Sequence, residues 1–305
     1  MKVKTLAGGL SPIKGGGNDT FFGYLFLLPF LGFYLIFNLY PMVQGFIISL
    51  YKWNITGVKT FLGPENYRLL GIDPNFWQAL LNTLQYVVFS TPVFMAGSLV
   101  LALLVDSKLL KGKTFARAVF FLPNILAVSI IAVIWLNMLQ PYTGLMNAFL
   151  HAVGIKQEVF WLSSEKIVWL SIVMVTFWWN TGYYMLLYLA GLQDIPEELY
   201  EAASIDGATG IQKIWRITIP SLKRIHLMIM FLQIIASFKI FGQVFLITGG
   251  GPGGASRTLL QYVYETGFTT FLLGKASAAS FVLLLIILIV SVLQLRIMNR
   301  AQEWS

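Results

Sequence analysis

The sequence contains no cysteine among its 305 residues, and it is also short of charge. The missing cysteines exclude disulfide bonds, thiolate metal sites and a cysteine nucleophile. Charged residues make up 11% of the chain, whereas soluble domains have roughly a quarter, and hydrophobic residues make up 57%. With a mean hydropathy of +0.74, this chain would expose large apolar patches to water. We therefore predict a membrane protein.

Six long stretches are free of charged side chains, apart from one lysine in the fifth of them. Each reaches or exceeds the ~20 apolar residues that a helix needs to cross about 30 Å of hydrocarbon. Helices are expected because every backbone polar group must be hydrogen-bonded within lipid. We predict an all-α polytopic membrane protein whose six transmembrane helices lie at about 21–49, 76–105, 120–139, 167–191, 225–247 and 276–295.

The positive charges predict how these helices are oriented. Of the 21 Lys and Arg residues, 13 fall in the tails and loops on one side, seven fall on the other, and Lys239 lies within the fifth helix. Because Lys and Arg concentrate on the cytoplasmic side, both termini and the segment 193–222 are predicted to be cytoplasmic. The same distribution accounts for the net charge of +8 without a nucleic-acid partner.

The predicted helices lack Asp and Glu, and the chain lacks the usual enzyme motifs. The glycine run at 249–254 has no Gly-Lys-Ser/Thr ending and is predicted to be extracytoplasmic, which favours a flexible or tightly turned loop over a phosphate site. His151 and His226 fall on opposite sides of the membrane without a carboxylate cluster, so no metal site is expected. We expect a protein without catalytic residues.

Polar and aromatic side chains within the predicted helices are candidates for a transport path. Such groups face the bundle interior or a water-filled path, but amides and hydroxyls also bond neighbouring helices. Aromatic rings can stack on sugars or belong to the interfacial belt. Both interpretations stay open for each residue. The path candidates are Asn180, Tyr183, Tyr184, Gln233, Ser237, Lys239 and Gln243, and Asn82 and Asn124 are further amides within predicted helices.

The segment 193–222 is dense in charge for so apolar a chain. Asp194 is predicted to cap a short helix whose acidic first turn suits the positive end of the helix dipole. Gly207 is predicted to end this helix, and Thr209 is predicted to begin a second one that ends near Pro220. We predict two short helices joined by a glycine bend.

Residues 201–208, Glu-Ala-Ala-Ser-Ile-Asp-Gly-Ala, and 215–220, Trp-Arg-Ile-Thr-Ile-Pro, resemble the EAA loop of membrane subunits of bacterial ABC importers. Motifs elsewhere, such as Phe-Leu-Gly-Pro-Glu-Asn-Tyr at 61–67 and Thr-Gly-Gly-Gly-Pro at 248–252, resemble the maltose-, lactose- and glycerol-phosphate-type sugar branch. The resemblance covers nearly the whole chain. Three positions depart from the pattern, since an aromatic, an Asp and a Tyr are common where this chain has Ile214, Gly242 and Lys275.

This resemblance implies a permease subunit of an ATP-driven, binding-protein-dependent sugar importer in the bacterial cytoplasmic membrane. The implied partners are a second homologous permease, a dimeric ABC ATPase, an extracytoplasmic solute-binding protein and the lipid bilayer. No cofactor is expected on this chain, because ATP and Mg²⁺ would bind the ATPase. The implied organisation is a cytoplasmic tail at 1–19, a six-helix domain at 20–298 with a coupling loop at 193–222, and a tail at 299–305. The residues implied to dock the ATPase are Glu201, Ala202, Ala203, Asp206, Gly207, Ala208, Trp215, Arg216 and Pro220.

Two other functions stay open from the sequence. An ion-coupled secondary transporter usually has inverted repeats and buried carboxylates, and neither is apparent here. An ABC permease for a non-sugar solute is disfavoured by the glycine loop and by the Asn-Tyr motif at 66–67. Copurification with an ATPase separates the first alternative from an importer.

Overall fold

Helices make up most of the computed structural model, which describes residues 17–54, 57, 59–107 and 110–302. Residues 1–16 and 303–305 of the predicted tails lie outside these residues, and residues 299–302 belong to the last helix. A two-stranded antiparallel hairpin, β1 (Tyr51–Trp53) and β2 (Lys59–Phe61), pairs Tyr51 with Phe61. The α-helices are α1 Gly17–Tyr34, α2 Tyr40–Ser49, α3 Glu65–Gly71, α4 Pro74–Asp106, α5 Lys113–Ile125, α6 Val128–Met138, α7 Leu145–Ala152, α8 Val168–Gln193, α9 Glu197–Ile205, α10 Gly210–Lys213, α11 Ile219–Ser221, α12 Lys223–Phe238, α13 Gly242–Ile247, α14 Leu259–Tyr264 and α15 Leu273–Gln302.

Three helices of the described chain are long and apolar enough to cross a membrane, namely Leu25–Ser49, Pro74–Asp106 and Leu273–Asn299. Two bent pairs, Lys113–Ile125 with Val128–Met138 and Gly210–Ser221 with Lys223–Phe238, raise the number to five if each pair is one span. Helix α8 has 26 residues and is not among these candidates.

The chain divides into two units, Met1–Ile48 and Ser49–Ser305. In the first, π-helical turns at Leu35–Leu39 lie between α1 and α2, and the N–H of Tyr40 donates to the carbonyl oxygen of Leu35. The wider turn precedes Pro41, which has no N–H to donate to an ordinary helical bond. Pro41 is therefore accommodated by a local widening of the helix rather than by a break.

Helix α8 is the centre of the second unit, and it packs against α4, α5, α6, α12 and α13. Small residues allow these close contacts, as they do in other membrane bundles. A Cβ atom at Gly182 would overlap the carbonyl oxygen of Phe120 on α5. A Cβ atom at Gly191 would lie 2.7 Å from Cγ1 of Ile225 on α12.

The predicted third span is two helices rather than one. Helices α5 and α6 meet at an angle of 100°, because Leu126 and Ala127 adopt extended backbone angles between them. Pro123 lies in the last turn of α5, where its missing N–H weakens continuation of the helix. The length of the apolar run did not predict this bend, although the run contains Pro123.

The predicted fifth span is interrupted as well. Helix α12 ends at Phe238, and α13 begins at Gly242. A Cβ atom at Gly242 would lie 3.2 Å from Cγ2 of Val128, so glycine lets α13 approach the start of α6 closely. Lys239 therefore lies at a helix end and not in the middle of a helix, which corrects the prediction.

The glycine-rich loop is tightly turned and firmly held. Gly249, Gly250, Gly253 and Gly254 have positive φ angles, which L-residues with side chains rarely adopt. Asn82 Nδ2 donates to the carbonyl oxygens of Gly254 (2.9 Å) and Arg257 (3.0 Å). The amide of Asn82 thus joins α4 to this loop, which supports its structural interpretation.

Asp73 anchors the start of α4. Its Oδ1 accepts from the N–H of Asn75 (2.9 Å), and its Oδ2 accepts from the hydroxyl of Tyr262 (2.7 Å) and from Nζ of Lys275 (2.6 Å). Burial alone would raise the pKa of Asp73, but the bonds from Lys275, Tyr262 and the Asn75 N–H outweigh burial and lower that pKa. Lys275, one of the three unusual positions, thus has a local ionic partner.

We expect the protein to lose stability as the pH falls through the lowered pKa of Asp73. A carboxylate whose pKa is depressed by folding stabilises the native state above its unfolded pKa, about 3.9, and this contribution is lost on protonation. Asp73→Asn should remove the acid-dependent step and lower stability at neutral pH by about 2 kcal/mol, since Lys275 loses a charged acceptor. Thermal unfolding from neutral pH to about pH 3 measures both effects. Asp194→Asn, at an exposed position, is the control, and an unchanged acid transition in Asp73→Asn would contradict this role.

Candidate functional site: the 193–222 loop and an intramembrane cavity

A Schellman motif closes helix α9. The N–H of Ala208 donates to the carbonyl oxygen of Ala203 (2.8 Å), and the N–H of Gly207 donates to that of Ser204 (3.1 Å). Gly207 has φ +77°, the left-handed conformation that this motif requires. The prediction that Gly207 ends the first helix is confirmed.

The start of α9 differs from the prediction. Asp194 has helical backbone angles and ends α8, and its side chain does not cap α9. Pro196 occupies the capping position, where its fixed φ suits the turn into the helix. The predicted cap at Asp194 is therefore wrong, although the acidic first turn at Glu197 and Glu198 is present.

A capping box begins α10. Thr209 Oγ1 accepts from the N–H of Gln212 (3.3 Å), and Gln212 Oε1 accepts from the N–H of Thr209 (2.7 Å). Nζ of Lys213 donates to Oγ of Ser204 (2.5 Å), joining the two halves of the loop. The second predicted helix is therefore present, and it continues through π-helical turns at Ile214–Thr218 into α11.

The loop is fixed to the bundle where it returns. The hydroxyls of Tyr200 and Thr218 lie 2.9 Å apart. Leu222 is fully buried beside Gly191 of α8. The helix–glycine–helix unit is thus supported on one side by α8 and α12 and is open on the other.

Large apolar side chains cover the open side. Ile205 is 88% exposed, Ile211 72% and Trp215 66%. Trp215 was predicted, but Ile205 and Ile211 were not, although an isoleucine within so charged a segment was a usable signal. Exposed apolar surface of this kind marks interaction sites.

Most of the predicted docking residues are exposed as well. Glu201, Ala202, Asp206, Arg216 and Pro220 are exposed. A groove of about 350 Å³ runs along the glycine bend. It is lined by Ala203, Asp206, Gly207, Ala208, Gln212, Lys213, Arg216 and Ile217.

A second candidate site lies within the bundle. It is a cavity of about 100 Å³ between α4, α8, α12 and the start of α13. Its lining is uncharged and consists of Tyr86, Phe94, Thr176, Asn180, Tyr184, Gln233, Ala236, Ser237, Ile240 and Gln243.

Hydrogen bonds already engage several of these polar groups. Gln233 Nε2 donates to Oγ of Ser237 (3.1 Å), which lies 3.1 Å from Oγ of Ser90 on α4. Asn124 Nδ2 donates to Oδ1 of Asn180 (3.0 Å), joining α5 to α8. Asn124 and Asn180 therefore hold helices together, and Asn180 also lines the cavity.

Two predicted path residues lie outside this lining. Tyr183 is exposed and meets Tyr184 edge to face. Lys239 is exposed at the end of α12, where a positive charge suits the negative end of the helix dipole. Thr176 lines the cavity but was not predicted, although it lies one helical turn before Asn180 on the same face of α8.

Comparison with known proteins shows which family has this arrangement. Residues 73–303 match the family described as "Binding-protein-dependent transport system inner membrane component". The chain belongs to this family. It is therefore a multi-pass membrane protein and a transport subunit rather than an enzyme.

Relatives in the family extend over nearly the whole chain. A probable ABC transporter permease protein, YurN of Bacillus subtilis, is 38% identical over 283 residues, which are 92% of this chain and 97% of that relative. The arabinooligosaccharides transport system permease protein AraP of B. subtilis is 33% identical, and the match covers 93% of this chain and 92% of that relative. The multiple sugar-binding transport system permease protein MsmF of Streptococcus mutans is 33% identical, and the match covers 92% of this chain and 97% of that relative. The resemblance to sugar ABC permeases is confirmed.

The fold of the family is also present in a solved structure. A chain of a bacterial ABC transporter that imports the acidic polysaccharide alginate superposes with a TM-score of 0.82, covering 93% of this chain and 96% of that chain. Its sequence is 23% identical, so the likeness concerns the fold.

Proposed function

We propose that this chain is one of two permease subunits of an ATP-driven, binding-protein-dependent importer that carries a sugar across the bacterial cytoplasmic membrane. The observation that carries the proposal is the helix–glycine–helix loop at 193–222, with an exposed apolar surface and a groove beside Gly207. A hydrogen-bonded helix–glycine–helix loop of this kind is suited to insert into a groove on an ATPase subunit. ATP and Mg²⁺ would bind that ATPase and not this chain.

The sugar assignment rests on two supports. Relatives named for arabinooligosaccharides, multiple sugars and lactose are 32–33% identical to the chain. The cavity offers amides, hydroxyls and the ring of Tyr184 without a charged side chain. Such a lining suits a hydroxylated solute that enters from an extracytoplasmic binding protein.

The proposed topology has six spans, with α8 added to the three long helices and the two bent pairs. At 26 residues, α8 is about 39 Å long, enough to cross the hydrocarbon. Both termini and the loop 193–222 are assigned to the cytoplasm on the distribution of Lys and Arg. The six-helix domain is assigned to 20–298, and the tails to 1–19 and 299–305.

The decisive test is purification of the chain with the proteins encoded beside it, followed by uptake in proteoliposomes. An importer requires a copurifying ATPase, and uptake should stop when the catalytic base of that ATPase is removed. Uptake driven by an ion gradient without an ATPase would instead establish a secondary transporter. Uptake of an amino acid or phosphate in place of a sugar would keep the importer and reject its substrate class.

A cysteine introduced at Ser204 should be labelled only from the cytoplasmic side. Ser204 is exposed on the loop, and the native chain has no cysteine to react in its place. An impermeant maleimide applied to intact cells should therefore label Ser163→Cys, in the loop before α8, and should spare Ser204→Cys. Labelling of Ser204→Cys in intact cells would overturn the proposed orientation.

Lys239→Met should leave the subunit folded but lower uptake. The loss of charge at the end of α12 should cost about 0.3–1 kcal/mol of stability. Lys239 is exposed, and it lies about 24 Å along the helix from the start of α12. At that depth in the membrane, the charged ammonium needs contact with water or with the second permease subunit. Thermal stability and uptake are compared with those of Lys156→Met, an exposed residue outside the spans. Uptake equal to that of the parent would remove Lys239 from the path.

A further inference from the structure

Helix α7 carries an apolar face that no part of the described chain covers. Leu145 is 66% exposed, Phe149 64% and Val153 58%, and Ala148 and Ala152 are exposed as well. At 100° per residue, these five positions fall within an arc of about 140° on one side of the helix. None of the five has a hydrogen-bonding side chain.

The opposite side of α7 is fixed to the protein. Asn147 is fully buried, and its amide bonds both the N–H (3.2 Å) and the carbonyl oxygen (3.0 Å) of Val159. Nε1 of Trp161 donates to the same Asn147 side chain (3.2 Å). Met146 packs against the buried cluster that contains Trp135 of α6. The apolar face therefore cannot turn inward without breaking a buried amide network.

The position of α7 relative to α8 sets its depth. Oγ of Ser171, in the first turn of α8, donates to the carbonyl oxygen of Trp161 (2.8 Å), and Trp161 holds Asn147. The loop 193–222 follows the other end of α8, 26 residues away. Since 26 residues of helix span about 39 Å, α7 lies at the membrane boundary opposite that loop.

With the orientation proposed above as its basis, we propose that α7 is an interfacial helix whose apolar face rests on the lipid of the outer leaflet. A protein partner is disfavoured, because protein interfaces carry about one hydrogen bond per 100–200 Å² and this face offers none. The surroundings suit the headgroup region instead. Tyr142 and Phe160 form an exposed edge-to-face pair (6.1 Å), and Lys156 is exposed nearby in sequence, as expected of aromatic and basic residues at membrane interfaces.

The proposal has a consequence for the transport unit. Helix α6, which α7 contacts, packs against α13, and Gln243 of α13 lines the cavity. If lipid holds α7 in place, α6 and α13 are therefore anchored at the outer surface of the membrane through their packing on α7 and on each other. This inference does not depend on which solute is carried.

Spin labels on the cysteine-free chain test the proposal directly. Ala148→Cys and Ala152→Cys place a nitroxide on the apolar face without removing a packed side chain, and His151→Cys places one at an exposed position outside that arc. The full complex is reconstituted in nanodiscs of phosphatidylcholine and phosphatidylglycerol, and collision rates with oxygen and with nickel-EDDA are measured by power saturation. We expect oxygen to dominate at positions 148 and 152, and nickel-EDDA to dominate at 151.

Two outcomes would overturn the assignment, and they differ from each other. If nickel-EDDA dominates at 148 and 152 as it does at 151, the face is in water. If both reagents are excluded at 148 and 152, a protein partner covers the face. Neither outcome depends on uptake, so a failure here is distinguishable from a failure of the proposed import function.

Discussion

Replacement of Gly207 by tryptophan should abolish solute uptake while the subunit still inserts into the membrane. Gly207 has φ +77°, and no atom of the chain lies within 4 Å of a Cβ atom added there. The chain itself thus has room for the new side chain, and the left-handed backbone adds only about 1–2 kcal/mol of strain. The loss should arise because the indole occupies the groove that we propose as the docking site of the ATPase. Uptake and ATPase retention during purification measure the effect.

Gly154→Trp is a closely matched control. Gly154 also has a positive φ, +94°, and also has no atom within 4 Å of an added Cβ. It lies in the loop between α7 and α8, which the proposed topology assigns to the membrane boundary opposite Gly207. Equal losses in both variants would attribute the effect to backbone strain, and normal uptake with normal ATPase retention in Gly207→Trp would reject the docking role.

Gly182→Val should prevent stable packing of α5 on α8. A Cβ atom at Gly182 would overlap the carbonyl oxygen of Phe120 and lie 2.8 Å from Cα of Phe121. These are backbone atoms, so no side-chain rotation relieves the clash and the two helices must separate. We expect a loss of about 3 kcal/mol or more, at the upper end for overpacked cores. Thermal unfolding in detergent, followed by size-exclusion chromatography, measures the change.

The matched control for Gly182→Val is Ala190→Val on the same helix, where the side chain is exposed. It adds two methyl groups without meeting a neighbouring helix, so its melting temperature should stay close to that of the parent. If Gly182→Val melts like Ala190→Val, the close crossing of α5 and α8 does not exist in solution. The separation should also break the bond between Asn124 and Asn180, and uptake would then fail together with folding.

The sequence predicted where apolar helices lie better than where they bend. The length of an apolar run is set by the thickness of the hydrocarbon that the helix must cross. For this reason the runs around α4 and α15 match long helices. Gly242, which follows the break after Phe238, packs against Val128, which follows the break after Ala127. These positions are 114 residues apart in sequence, so local periodicity carries no trace of their contact.

The loop at 193–222 was predictable in detail because its signals are local. Gly207 and Thr209 act through hydrogen bonds to residues within five positions of themselves. The prediction for Asp194 was wrong for the same reason. An aspartate before an acidic first turn is typical of a helix cap, but here Asp194 already occupies the C-cap position of the preceding helix α8. The cavity was harder to predict. Asn180 and Tyr184 are one turn apart on one face of α8 and both line it, but their neighbour Tyr183 points elsewhere.

The internal hydrogen bonds of the 193–222 loop affect the rate and the affinity with which a partner can bind it. Ordering a flexible residue costs about 1–2 kcal/mol of conformational entropy. The bonds from Ala208 to Ala203 and from Lys213 to Ser204 order the two halves before any encounter. Binding energy from the exposed side chain of Ile205 can then appear as affinity rather than being consumed in folding the loop. A preordered loop also loses little of a partner's displacement to its own rearrangement, so in the proposed importer a displacement of the ATPase would reach α8 and α12.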